Sequence, residues 1–226
     1  GGMQVILCGD FFQLPPVSRA GEPEAHFAYR SKIWQEMNLK ICYLTEQHRQ
    51  NDDVFLGVLN DIRNNNVSED TLFHLKSRYK KEPISTVPPT KLSTHNENVD
   101  QINDVELSKI TGEEKTFIMT SRGKANIVEV LKKSCLAPEK LVIRVGARVM
   151  FVKNSYEKGY ANGTLGTVSD LSDYAITVRT ARGKMIEVPR VKWMIEDGGK
   201  ILAELTQYPL RLAWAITVHK SQGMSL

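Results

Sequence analysis

The apolar positions along the chain fall into two patterns, and the change comes near residue 141. Before it, short uncharged runs alternate with segments of helical period. Met3–Cys8 is a continuous apolar run, the pattern of a central parallel strand covered on both faces. Arg30–Met37 predicts a short helix with Ser31 as N-cap. Lys40–Arg49 ("KICYLTEQHR") begins as a second buried strand and turns polar at Thr45. Strand, loop, helix and strand make an α/β unit. Asp52 and Asp53 are placed to cap a further helix, with Val54, Phe55, Val58, Leu59 and Ile62 on one face and a stop at Asn64–Asn66. Thr71–Tyr79 predicts another turn or two of helix, and "PISTVPPT" (83–90) a proline-rich connector. Lys91–Ile110 passes from a strand into an amphipathic helix bearing Val99, Ile102, Val105 and Leu107.

From Leu141 the runs become short and β-rich: "LVIRVGARVMFVKN", "GTLGTVSDL", "AITVRT" and "KMIEVPRVKWMI". Turn chemistry separates them at Asn162-Gly163, Ser172-Asp173 and Ala181-Arg182-Gly183. Short strands at this spacing predict a small barrel inserted into the larger domain. The tail "YPLRLAWAITVHKSQGMSL" returns to the pattern of the N-terminal part, an apolar strand followed by a polar turn. The first and last residues lie close to predicted strands, so the chain reads as an internal piece of a longer protein.

Composition adds little to this picture. The 226 residues are 41% apolar and 25% charged, ordinary for a globular protein, and the formal charge of +4 permits a nucleic-acid partner without requiring one. Cys8, Cys42 and Cys135 are too dispersed for a zinc site or a disulfide framework, which favours a reducing, intracellular setting; Cys8 and Cys42 read as core residues. No apolar run approaches the ~20 residues of a membrane span. The five histidines lack metal-ligand spacing, and Trp34 and Trp193 read as core.

Ligands of open α/β sheets gather beyond the carboxyl ends of the strands. Three polar clusters follow predicted strands directly: "GDFFQLPP", "LTEQHRQ" and "TVHKSQG". Asp10 could be a magnesium-holding acid, but Phe11 stands where such a site carries a second acid. Gln13 offers a donor and an acceptor for a phosphate oxygen or a water, and Pro15 and Pro16 stiffen its loop. A capping Asp and a surface Gln would fit the same spacing. Arg49 could stabilise charge on a transferring phosphoryl group, or simply be solvated. Thr94, His95 and Asn96 stand at a strand-to-helix junction, suited either to phosphate or to N-capping. Thr217, His219, Lys220, Ser221 and Gln222 form a dense donor cluster suited to phosphates, although no G-x-x-x-x-G-K-[ST] loop precedes Lys220.

Together, "CGDFFQLPPV", "LTEQHRQ", "STHNENVDQIN", "GARVM…NGTLGTV" and "AWAITVHKSQGMSL" resemble the PIF (petite integration frequency) family of DNA helicases, in the RecD-like branch of superfamily one. The resemblance implies an α/β fold of RecA-like domains: 1–45 ending the first, 46–142 opening the second, an SH3-like β-barrel insert at 143–195 and a return segment at 196–226. It implies a 5′-to-3′ motor on single-stranded and forked or structured DNA, driven by ATP with Mg2+, monomeric, without a membrane, and serving repair, recombination or telomere maintenance. Its setting would be the bacterial cytoplasm, or the eukaryotic nucleus or mitochondrion. By the same resemblance, Gln13 contacts the γ-phosphate and Pro15 faces single-stranded DNA. Arg49 is the arginine finger. Thr94, His95, Asn96, Thr217, His219, Lys220 and Ser221 touch the DNA backbone or relay to ATP, and Asp10 is structural. The family's Walker A loop, Asp-Glu pair and closing arginine motif do not occur between residues 1 and 226, so this stretch alone is expected not to hydrolyse ATP. A non-catalytic DNA-binding remnant, or the motor of a RecD-like nuclease or relaxase, are the competing expectations.

Overall fold

The computed structural model describes residues 4–16, 18, 21, 23–46, 52–81, 89–172 and 174–222. They form a mixed α/β structure of two compact units, Gly1–Glu82 and Pro83–Leu226.

In the first unit, a 3-10 turn (Ala28–Arg30) leads into α1 (Lys32–Glu36), capped as expected by Ser31, whose Oγ accepts from the Trp34 N–H at 3.2 Å. The helix α2 (Asp53–Arg63) is capped by Asp52, which accepts from the Phe55 N–H at 3.0 Å. It ends at the asparagine run, where Asn65 takes a positive φ of 52°. The following helix α3 (Glu69–Arg78) is longer than its apolar pattern predicts, because Ser68 caps it and joins Thr71 in holding Asp61 of α2, at 2.7 and 2.6 Å.

Two expectations fail here. Residues 4–10 and 40–46 form no strand among the described residues, and their apolar side chains are largely exposed, Ile6 by 76% and Tyr43 by 83%. A central strand needs a hydrogen-bonded neighbour on each edge and a cover on each face. The described residues of this unit supply neither. Cys8 and Cys42, expected in a core, are exposed for the same reason. Only Val58 of the apolar face of α2 is buried. Trp34 is half-buried, edge-on to Phe11 at 5.6 Å.

The second unit runs β1 (Lys91–Ser93), α4 (Asn96–Ser108), β2 (Glu114–Ile118), β3 (Thr120–Gly123), α5 (Ala125–Ser134), β4 (Lys140–Arg144), β5 (Arg148–Phe151), β6 (Leu165–Leu171), β7 (Ile176–Thr180), β8 (Met185–Val188), β9 (Val191–Asp197), β10 (Lys200–Gln207), β11 (Leu210–Leu212), β12 (Ala215–Thr217) and α6 (Val218–Ser221). An antiparallel sheet of order β11-β5-β6-β7-β8 packs Val149, Phe151, Val168, Ile176, Val178, Ile186 and Val188 into the largest core cluster, with Tyr208 and Leu210. At the predicted Asn162-Gly163 turn, Gly163 takes φ 95°. Gly166 is required for a different reason: a Cβ there would run into Val178 and the Arg179 carbonyl of the neighbouring strand.

The region predicted as a barrel is redrawn by one proline. "KMIEVPRVKWMI" divides at Pro189, which has no N–H to give a ladder. Before it, β8 closes the five-stranded sheet. After it, β9 leaves to pair with β10 in the order β3-β10-β9, carrying Trp193 between two further core clusters. The outer strands β8 and β11 of the five-stranded sheet are not paired with each other among the described residues.

The strand β5 links this sheet to the strands that carry the polar clusters. Val149 and Phe151 face the large core, while Met150 and Val152 pack with Ala213 and Ile216 around β12. There β1 and β12 pair in parallel, Lys91 opposite Ala215, Leu92 opposite Ile216 and Ser93 opposite Thr217.

Candidate functional site

The parallel register of β1 and β12 decides where the chemistry of the second unit gathers. Both strands end at the same rim, with Ser93 and Thr217 side by side. Thr94, His95 and Asn96 leave from one, and His219, Lys220 and Ser221 from the other, so two clusters more than a hundred residues apart in sequence share one edge.

At the first, His95 occupies the N-cap of α4 without a side-chain capping bond. Its Nδ1 lies 2.7 Å from the Thr94 hydroxyl, and all three side chains are exposed. The capping role that spacing allowed for these residues is therefore not the one they take. At the second, Thr217 is 2% exposed and its Oγ1 accepts from the Lys220 N–H at 3.3 Å, so it shapes the turn. Ser221 donates to the Val218 carbonyl at 2.8 Å, while His219 is exposed. Burial pushes the Lys220 ammonium pKa down, the charge of Arg211 on β11 adds to that, and Asp100 of α4 opposes it. A lysine so placed gains from an anion that offsets its desolvation.

The rim is held by a residue that sequence reasoning missed. Asn103 of α4 is buried and uses both ends of its amide on one residue of β12, donating to the Ala215 carbonyl and accepting from the Ala215 N–H, each at 3.0 Å. The buried face of α4 is Val99, Asn103 and Leu107, with Val105 exposed, and the i, i+4, i+8 spacing was the available signal. Asn103→Leu removes two buried hydrogen bonds and strands the Ala215 groups. A loss of about 2–3 kcal/mol is expected in urea denaturation of the full-length protein, with the transition assigned to the unit carrying β12. An unchanged midpoint contradicts the bracing role.

In the first unit, the loop after residue 10 is a compact turn. Asp10 Oδ1 accepts from the Phe12 N–H at 3.0 Å, and the Gln13 N–H donates to the Asp10 carbonyl at 3.2 Å. Gln13 and Pro15 are exposed. Both carboxylate oxygens of Asp10 are engaged by the Arg63 guanidinium at 3.0 and 3.1 Å, a second contact that the sequence did not announce. An acid so occupied is not presented as a metal ligand. Among the described residues, no group of three or more His, Cys, Asp or Glu could hold a metal ion. Arg49 lies outside the described residues.

The hydrogen bond from Arg63, then that from the Phe12 amide, hold the Asp10 carboxyl below its usual range. A depressed carboxylate stabilises the fold above its unfolded pKa, near 4, and loses that contribution as pH falls through the lower folded value. Asp10→Asn is therefore expected to cost up to about 1 kcal/mol at pH 7, the range of solvent-screened pairs, and to match the parent once pH has fallen below the lowered folded pKa of Asp10. Denaturation at the two pH values checks this; a gap that persists in acid contradicts it.

Residues 1–71 match the family model described as PIF1-like helicase, and residues 126–171 match the DNA helicase Pif1 2B domain. An ATP-dependent DNA helicase Pif1 of Psychrobacter sp. (strain PRwf-1) is 37% identical over 287 aligned residues, covering 100% of this chain and 43% of the relative. Unliganded Pif1 from Bacteroides sp. superposes with a TM-score of 0.81 at 34% identity, covering 96% of this chain and 54% of that one. Bacteroides Pif1 bound to ssDNA gives a TM-score of 0.54 at 33% identity, covering 96% and 53%. The chain spans about half the length of these relatives, or less. No described helix is long and apolar enough to cross a membrane. With its motifs, its fold and its relatives in agreement, the chain belongs to the Pif1-like helicase family.

Proposed function

We propose that this chain supplies the phosphate-sensing loop and much of the DNA grip of an ATP-dependent 5′-to-3′ DNA helicase. The observation that carries the reading is the register of β1 and β12, which puts Thr94, His95 and Asn96 at one rim with Thr217, His219, Lys220 and Ser221. Exposed histidine, asparagine and threonine side chains beside a half-buried lysine suit a sugar-phosphate backbone, with no demand on base identity. Thr217 and Ser221 act mainly by shaping the turn that presents His219 and Lys220.

The loop of Gln13 is the candidate for the nucleotide side, with Pro15 toward single-stranded DNA and Arg49 as the arginine finger. ATP with Mg2+ would supply the free energy of stepping through phosphoryl transfer. Gln13 and Arg49 are the residues here that would face it, and the metal would rest mainly on residues outside this chain. Segments 1–45, 46–142 and 196–226 are read as parts of two RecA-like domains, and 143–195 as an SH3-like insert. The sheet of β5 to β8 and the 2B match at residues 126–171 support the position of the insert, and β11 joins that sheet from outside the boundary. The partners are single-stranded and forked or structured DNA, met by a monomer in an intracellular compartment.

The test is ATP turnover by the full-length protein with and without mixed-sequence single-stranded DNA. Strong stimulation, with binding that weakens steeply with salt, is expected. Turnover indifferent to DNA contradicts the reading.

A further inference from the structure

Arg63 stands in the last turn of α2 and reaches the Gln13 loop in two ways. Its guanidinium forks onto Asp10, Nη1 to Oδ2 at 3.1 Å and Nη2 to Oδ1 at 3.0 Å. Its Cζ also lies 4.5 Å from the centroid of the Phe12 ring, a cation–π contact. Asp10 in turn closes the backbone turn onto the amides of Phe12 and Gln13, its Oδ1 accepting from the Phe12 N–H and its carbonyl from the Gln13 N–H.

Phe11 is fixed independently, edge-on to Phe27, Tyr29 and Trp34 at 5.9, 4.9 and 5.6 Å between ring centroids. The adjacent phenylalanines thus point to separate anchors, Phe11 to an aromatic cluster and Phe12 to the arginine. A lysine could match the charge of Arg63 but not its planar fork.

We infer that Arg63 is a positioning residue for the reaction: through Asp10 and Phe12 it fixes the orientation in which Gln13 is presented to the nucleotide. The inference rests on the reading of Gln13 as the nucleotide-facing residue of the loop. Arg63 itself is assigned no contact with nucleotide or DNA. It acts on the rate by limiting the conformations of the loop, and small misplacement of such a group carries large kinetic cost.

The test is steady-state ATP turnover by the full-length protein at saturating single-stranded DNA, with Gln13→Ala, Arg63→Ala, Arg63→Lys, Asp10→Asn and the double variant Gln13→Ala/Arg63→Ala. Arg63→Ala is expected to lower kcat by about 10- to 100-fold, with the KM for ATP and the DNA affinity changed less than about threefold. Arg63→Lys should recover part of the loss. In the Gln13→Ala background, Arg63→Ala should cost less than about twofold, because its effect runs through a side chain already removed. Full additivity in the double variant, or parental kcat in Arg63→Ala, overturns the inference. If Arg63→Ala does not fold, Asp10→Asn keeps the shape, removes the charged partner and must show the same kcat loss and the same non-additivity with Gln13→Ala. Slow Gln13→Ala with parental Arg63→Ala sinks the positioning role alone, whereas parental Gln13→Ala sinks the nucleotide-facing reading and the inference together.

Discussion

Arg49→Ala in the full-length protein is expected to reduce DNA-stimulated ATP turnover by about 10³-fold or more while single-strand affinity stays within about twofold. A guanidinium that meets the transferring phosphoryl group stabilises charge that appears only in the transition state, so its loss falls on kcat rather than on binding. In sequence the residue lies between the apolar run at 40–46 and Asp52, the cap of α2. DNA affinity is expected to be spared because the residues proposed to contact the backbone lie on the rim of β1 and β12, in the other compact unit. Arg49→Lys separates charge from geometry: a lysine keeps the cation but loses the bidentate fork, and should recover only a small part of the rate. Turnover near the parental value in Arg49→Ala removes the arginine-finger role.

The second large effect is expected at the rim. His219→Ala with Lys220→Ala should weaken single-strand binding by about 10- to 100-fold at physiological salt, the loss of one or two backbone contacts. The salt dependence should change as well, its slope falling by about 0.7 for each phosphate-contacting cation lost. Lys220 carries most of this, because it is half-buried, its charge is disfavoured by burial and by Arg211, and a phosphate relieves both. Asn103 keeps β12 in place in this variant, so a change in folding is not expected to accompany the loss. Fluorescence anisotropy with mixed-sequence oligonucleotides over a salt series reads both quantities. Unchanged affinity with an unchanged slope assigns the cluster to structure or nucleotide instead.

What was legible in the sequence was local. The caps at Ser31 and Asp52 and the stop at the asparagine run follow from short-range chemistry and stand as expected. The rim was legible in part: of the three polar clusters expected after strands, only the one after β12 follows a strand among the described residues, and its neighbour there is Thr94–Asn96. Other features were not read, most of them because they depend on distant partners. The runs at residues 4–10 and 40–46 have the composition of buried strands, but composition says nothing about whether a neighbour is present to pair with. Elements β2, β3 and β10 gave no strong period, since β3 is exposed throughout and β10 alternates over only part of its length, whereas α5 is amphipathic, with Val128 and Leu131 buried, and was readable but missed. Asn103 and Arg63 look like ordinary helix residues until the helix is placed against the strand or loop it serves. The barrel expectation followed the short β-rich runs on either side of Asn162-Gly163 but could not see that Pro189 sends β9 to another sheet.

The most direct test of the central claim is strand displacement by the full-length protein on partial duplexes with either a 5′ or a 3′ single-stranded tail, with ATP and Mg2+. Unwinding of the 5′-tailed duplex only is predicted, abolished by Arg49→Ala and weakened at low protein concentration by His219→Ala with Lys220→Ala. Displacement that prefers the 3′ tail, or single-strand binding with no ATP-dependent displacement on either substrate, contradicts a 5′-to-3′ motor.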